Sequence, residues 1–350
     1  LNANILTMHK IWNVKKENPA LQKILTNSLG LSPVLAHLLI NRKITTPQDV
    51  ENFLDTSLEN LHDPYSLKDM DKAVLRVKRA VSKGEKIAVY GDYDADGITS
   101  AAILTRALKT LGANVITYIP HRLEEGYGIN KNAVKTLSHK NIKLLISIDC
   151  GINAKEEVDY LKHLNIDSII IDHHKIQKNN FPKSAVSVID PLQEDCSYPF
   201  KDLAAVGLAY KFVWALFGQR DRADEYLDLV SIGSISDVVS MLGENRILAK
   251  FGLERLKKTK NIGLRALIKA SSLKSELLTT THIGFILGPR INAAGRLSSP
   301  DYALKLLLTE DPDEAEELAK RLNSENRLRQ NIEDKMLKEA IALVEARVNF

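Results

Sequence analysis

The chain has 350 residues, a formal net charge of +4, and 44% hydrophobic and 26% charged residues, the proportions of an ordinary soluble globular protein with room for two domains. No apolar run approaches the roughly 20 residues that span a bilayer, and no basic start followed by an apolar block marks a signal peptide. Cys150 and Cys196 form no metal-binding spacing and no disulfide scaffold, which fits a reducing cytoplasm, while a pI near 8.8 is compatible with a polyanionic partner.

The segment Leu1–Lys10 starts with Leu, and Met8 offers a natural start. From about residue 18 to 85, turn signals separate helical periodicities at Pro19–Leu25, Pro33–Leu39 and from Thr46-Pro47 to Phe53, with Pro at the first helical position. This helical preface, residues 1–70, carries no evident chemistry. Lys72–Lys83 reads as a basic helix leading into the apolar, β-branched run at Ile87–Val89. Three carboxylates then alternate, Asp92, Asp94 and Asp96, followed by Gly97 and an Ala- and Leu-rich helix over Ile98–Leu108. Strands at Val115–Ile119, Leu144–Ile148 and Ser168–Ile171 alternate with helices at Asn132–His139 and Ala154–Leu164, and Val186–Pro191 holds one further strand. Strands spaced by helices of this length predict βαβ units and a parallel sheet flanked by helices, an α/β fold with every strand's carboxyl end on one edge.

Beyond that the chain reads as all helical, with candidates at Ala204–Leu216, Ala223–Val239 and Asn245–Leu256. Pro312–Val348 is a long charged helix pattern with almost no breakers, suited to connecting domains. It runs to Asn349-Phe350 without a cap, so the natural protein is expected to continue.

Four places put polar residues where the fold does not need them: Asp92/Asp94/Asp96, Asp149 before Gly151, Asp172-His173-His174, and Asp237 among the small and apolar residues of Gly233–Val239. Singly, each has an ordinary use as a turn former, a helix cap or an exposed loop residue. Jointly, acids and imidazoles at several strand ends on one edge converge in space. Carboxylates with one or two imidazoles suit Mn²⁺ or Mg²⁺, and two such ions about 3.5–4 Å apart, bridged by a carboxylate, clamp a phosphoryl group and activate water. That pattern points to phosphoester hydrolysis.

These motifs, Asp92-Tyr-Asp-Ala-Asp-Gly97, Asp149-Cys-Gly151, Asp172-His-His174 and Ser236-Asp-Val-Val239, resemble in order and spacing those of the DHH phosphoesterase superfamily. Glu125-Gly-Tyr-Gly128, Gly243-Glu-Asn-Arg246 and Gly288-Pro-Arg-Ile-Asn-Ala-Ala-Gly-Arg-Leu297 narrow the resemblance to its RecJ family of single-strand-specific exonucleases, over roughly residues 60 to 330. The resemblance implies 5′-to-3′ degradation of single-stranded DNA in repair and recombination, with two Mn²⁺ or Mg²⁺ ions and possible helicase and single-strand-binding partners. Carried over by position, it makes Asp94, Asp96, Asp149, His173 and Asp237 metal ligands, Asp149 the bridge, and Asp92 a ligand or a support for the shell. His174 is the group that meets the scissile phosphate or protonates the leaving oxygen. The layout implied is a catalytic α/β domain over 71–240, its helical part over 241–310, and a connector over 311–350 toward a second, glycine-rich domain. Cys150 departs from the family's usual Asn in the second motif.

Among substrate-handling groups, His121 and Arg122 follow the second strand, and Gly126-Tyr-Gly128 offers Tyr127 for base stacking. Arg290 and Arg296 flank Asn292 and small residues where a strand can approach, with guanidinium groups suited to phosphates. Lys175 can screen a phosphate. Two other readings compete: a phosphodiesterase of oligoribonucleotides, cyclic dinucleotides or pyrophosphate, and a nucleic-acid-binding scaffold without activity.

Overall fold

The computed structural model describes residues 13–348, so Met8, the segment Leu1–Lys10 and the terminal Asn349-Phe350 lie outside the described residues. The chain divides into two units, Leu1–Thr56 and Ser57–Phe350. In the first, α1 (Pro19–Leu29), α2 (Pro33–Asn41) and α3 (Pro47–Leu54) each start on a proline behind a capping side chain, from Asn18, Ser32 and Thr46. They close over a small core of Leu25, Ala36, Leu39, Ile44 and Val50.

The second unit is built on a five-stranded parallel sheet of order β2-β1-β3-β4-β5. Its first part runs α4 (Met70–Ser82), β1 (Lys86–Tyr90), α5 (Ala95–Thr110), β2 (Asn114–Tyr118), a short α6 (Arg122–Glu125), α7 (Lys131–His139), β3 (Leu144–Ile148), α8 (Lys155–His163), β4 (Asp167–Ile171) and β5 (Ser187–Ile189). Alternate residues of each strand feed opposite faces. Ile87, Val89, Ile146 and Ile171 pack with α4, α5 and the later helices, whereas Ala88, Tyr90, Leu145 and Ile170 pack with α7 and α8. The strand order reverses between β1 and β3, and ligands of open parallel sheets bind outside the strand ends at such a reversal. The segments carrying Asp92–Asp96 and Asp149 leave the sheet there.

The helical part comprises α9 (Ala205–Phe217), α10 (Arg220–Asp224), α11 (Leu227–Ser236), α12 (Gly243–Leu256), α13 (Ile262–Ala270), a short α14 (Thr280–His282), a π-helical turn (Ile283–Leu287), α15 (Gly288–Leu297), α16 (Asp301–Leu308) and α17 (Pro312–Val348). The single helix read over Ala223–Val239 is corrected: the chain breaks between α10 and α11, and α11 ends at Ser236. Asp237 therefore terminates a helix rather than standing within one, and Val238 adopts the left-handed region at φ 60°. Among the described residues no single helix is long and apolar enough to cross a membrane.

Candidate metal centre

Local sequence fixes the first acidic turn. Asp94 caps α5, its Oδ1 accepting from the amides of Asp96 (2.9 Å) and Gly97 (3.0 Å), and Asn292 Oδ1 on α15 accepts from the Ala95 amide (2.7 Å). Gly97 is required by space, because a Cβ there would lie 2.6–2.7 Å from the backbone and Cβ of Asp92. Asp96 points the other way and grips the start of α9, its two oxygens accepting from the Ala205 and Val206 amides at 2.8 Å each. No sequence signal marked those two amides. A carboxylate so held keeps lone pairs for a cation.

Asp149 follows β3 with φ 65°, a conformation few non-glycine residues adopt, and its amide bonds Ile171 O at 3.0 Å. His173, after β4, brings the motifs together: its Nε2 stands 3.2 Å from Asp149 Oδ1, 3.9 Å from Asp237 Oδ2 and 4.0 Å from Asp96 Oδ2. Three groups of side chains hold their ligating atoms within 4.8 Å of one another: Asp149/His173/His174, Asp96/His173/Asp237 and Asp92/Asp94/Asp149. Asp149 and His173 each belong to two of them, so the three groups are joined through these two side chains. All six residues read as ligands thus meet in one place.

The next residue is managed by Asp172, which sequence reasoning noted without assigning it a task. Asp172 accepts from the Ile152, His173 and His174 amides and from His174 Nδ1, the last at 2.7 Å. That contact raises the His174 imidazolium to about pKa 9, so the ring is cationic near neutrality with Nε2 as its remaining donor. Burial is the largest influence on Asp172 and pushes it up, but the His174 hydrogen bond and charge, the Ile152 amide and His173 together outweigh it, and the carboxylate titrates below its usual range. Burial, then the neighbouring His174 charge, pushes His173 down, so that ring is neutral and suited to ligation.

The acids show the opposite imbalance. Burial followed by repulsion from Asp94 raises Asp92 to about 7 and Asp237 to about 6. Burial also raises Asp96 and Asp149, reinforced first by Asp237 and Asp96 respectively. Asp92 Oδ1 is buried with no hydrogen-bond partner. Massed buried carboxylates with one unsatisfied oxygen and two imidazoles fit hard divalent cations, and the protein supplies too little positive charge of its own.

A cavity of about 380 Å³ lies over this cluster, and Arg122, Tyr127, His174, Asn292 and Arg296 line it beside Asp92 and Asp94. Arg122 lies over the Tyr93 ring, its guanidinium carbon 5.1 Å from the ring centre. Glu125 is occupied elsewhere, accepting from Tyr118 Oη and the His121 amide. Tyr127 is half-exposed, with its hydroxyl 3.3 Å from His174 Nδ1 and 3.4 Å from Asp149 O. Arg290 does not line this cavity: it turns toward α17, donating to Asn323 Oδ1 (3.0 Å) and Ile286 O (2.7 Å). Cys150 is buried in the apolar cluster behind the sheet, where burial raises its thiol, and Lys175 lines a neighbouring cavity of about 490 Å³. A larger cavity, about 870 Å³, opens between Arg106, Lys109 and Asp228 near the far end of α5 and holds none of the clustered acids.

Residues 86–234 match the DHH family, N-terminal domain. A crystal structure of exonuclease RecJ bound to manganese is 37% identical, covers 81% of this chain and 71% of its own, and superposes with a TM-score of 0.73. The chain belongs to the RecJ branch of the DHH family. Within that branch it is 42% identical over 334 residues to the single-stranded-DNA-specific exonuclease RecJ of Bacillus subtilis, covering 95% of this chain and 42% of the relative. RecJ of Thermus thermophilus in complex with Mg²⁺ is 30% identical with a TM-score of 0.67, covering 92% of this chain and 43% of that one. The chain therefore spans less than half the length of the Bacillus subtilis relative.

Proposed function

We propose that this chain carries the metal-dependent catalytic part of a single-strand-specific 5′-to-3′ exonuclease that hydrolyses DNA phosphodiesters in repair and recombination. The observation that carries it is the convergence of Asp92, Asp94, Asp96, Asp149, His173 and Asp237 at the β1/β3 reversal, beneath a cavity edged by Arg122 and Arg296. The RecJ relatives, one bound to manganese and one to Mg²⁺, support the same reading and ions of that kind here, and the several acid–imidazole groups sharing residues support a pair of them. When bound, such ions neutralise phosphoryl charge and acidify water.

The chain's own residues do the rest. Arg122, Arg296 and Asn292 orient the strand's phosphate against the acidic floor, and Tyr127 closes one side of the cavity. His174, held by Asp172 through Nδ1, presents Nε2 to the phosphate and donates its proton to the leaving 3′ oxygen as the phosphorus–oxygen bond breaks. Arg290 acts as a strut between α15 and α17. In this proposal residues 1–70 form the helical preface, 71–240 the catalytic domain and 241–310 its helical part. Residues 311–350 form the connector to a second domain, in a cytoplasmic protein working with a helicase and a single-strand-binding protein.

Digestion of 5′- and 3′-labelled single-stranded and duplex DNA with Mn²⁺ or Mg²⁺ tests the reading. Mononucleotide release from the 5′ end of single strands is expected. Laddering from the 3′ end, equal attack on duplex, or activity confined to short oligoribonucleotides and cyclic dinucleotides would overturn it.

A further inference from the structure

The π-helical turn preceding α15 presents an aromatic ring, Phe285, to solvent. Ile283 and Leu287 of that turn are fully buried, yet Phe285 between them is 78% exposed. Phenylalanine gains most from burial, so a ring left in solvent is informative when its position is constrained. Here it is. Gly284 lies against Ile235, and a side chain at Gly288 would collide with Ser236, so the turn is seated on the end of α11 directly before Asp237. On α15, Asn292 and Arg296 are four positions apart, share a face and line the cavity over the acids. Phe285 precedes them on the π-turn that runs directly into α15 and sits against the helix end bearing Asp237. π-Turns inside helices concentrate at functional sites. The neighbouring Val238, next to Asp237, is likewise 85% exposed and held in the left-handed region at φ 60°, where a β-branched residue is strained.

We propose that Phe285 is a stacking platform for a nucleobase of the bound single strand, the apolar end of a track that runs from Arg296 past Asn292 and the acidic cluster. This rests on the nuclease reading and adds to it where the strand lies. Arginine and asparagine hold phosphate and sugar at one end, and the ring takes a base of any identity at the other, because every base offers a π-face. Paired bases in a duplex have no free face to offer.

The test compares binding with hydrolysis in the intact chain. Affinity is measured by anisotropy with Ca²⁺ for a 3′-labelled single strand and for an abasic strand with the same phosphates. The expected outcome is that Phe285→Ala weakens binding of the normal strand roughly ten-fold and leaves the abasic strand unchanged. Phe285→Trp retains binding and its fluorescence is quenched by the normal strand alone. With Mn²⁺, Phe285→Ala raises KM for the normal oligonucleotide and leaves KM for the abasic strand where it is in the unmodified protein. Equal weakening of both strands, or no weakening of either, would overturn the platform. Absence of metal-dependent hydrolysis in the unmodified protein would sink the nuclease reading instead, and the anisotropy comparison would still decide the role of the ring.

Discussion

Two regions of the second unit bury charge, and they do so in opposite ways. Lys211 on α9 and Glu244 on α12 form an ion pair at 2.7 Å with side chains 0% and 2% exposed. Lys211 also donates to His62 O and lies over the Trp214 ring, while Glu244 accepts from Tyr198 Oη and the His62 amide. Every charge there has its answer inside the protein. At the strand ends the acids outnumber the imidazoles, and Asp92 keeps an oxygen with no partner. Balanced buried charge holds helices together, and unbalanced buried charge marks a place where the counter-charge comes from outside.

The comparison can be broken from either side. Asp149→Ala should lower hydrolysis by about 10³-fold or more, near 4 kcal/mol, and abolish the calorimetric heat of Mn²⁺ binding while the chain stays folded. Retained Mn²⁺ binding in that variant would remove Asp149 from the centre. Glu244→Ala should instead cost about 3–5 kcal/mol in urea unfolding by stranding Lys211, with the double change Lys211→Met and Glu244→Leu recovering most of it. If the single substitution proved neutral, the pair would be ornamental.

Metal should matter to the stability of one region only. At 100 times its dissociation constant, Mn²⁺ is expected to add about 2.7 kcal/mol, and to add nothing to Asp149→Ala. In chelator, Asp92 and Asp237 bind protons in the folded state that the unfolded chain releases near pH 4. Their contribution is therefore complete below that pH and is lost as pH rises through about 6 to 7. Thermal melts across that range in chelator, repeated with saturating Mn²⁺, should show the decline only in the first series. The smallest effect concerns His174: activity should fall as pH rises through about 9, and Asp172→Asn should move that limb downward. An unmoved limb would assign the titration to another group.

Much of this was legible because it is local. The strand–turn–helix grammar around Asp92–Gly97, the alternation from β1 to β4 and the Asp172-His-His174 string are all short-range signals, and the structure brings their acids and imidazoles together. What sequence reasoning missed is set by tertiary demands. The apolar continuity of Leu227–Val239 reads as unbroken helix, yet α11 ends at Ser236 with Val238 in a left-handed turn. Arg290 and Arg296 look equivalent as flanks of a small-residue segment, but six helical positions put them on different faces. Asn292, four positions from Arg296, shares its face instead. The amides of Ala205 and Val206 carry no side-chain signal at all.

Those two amides have a practical use. Because Asp96 rests its oxygens on them, any redistribution of charge on that carboxylate is felt at the first turn of α9, a helix whose residues are otherwise almost wholly buried. Amide exchange or nitrogen chemical shifts at these two positions would therefore register cation loading without a chromophore or turnover.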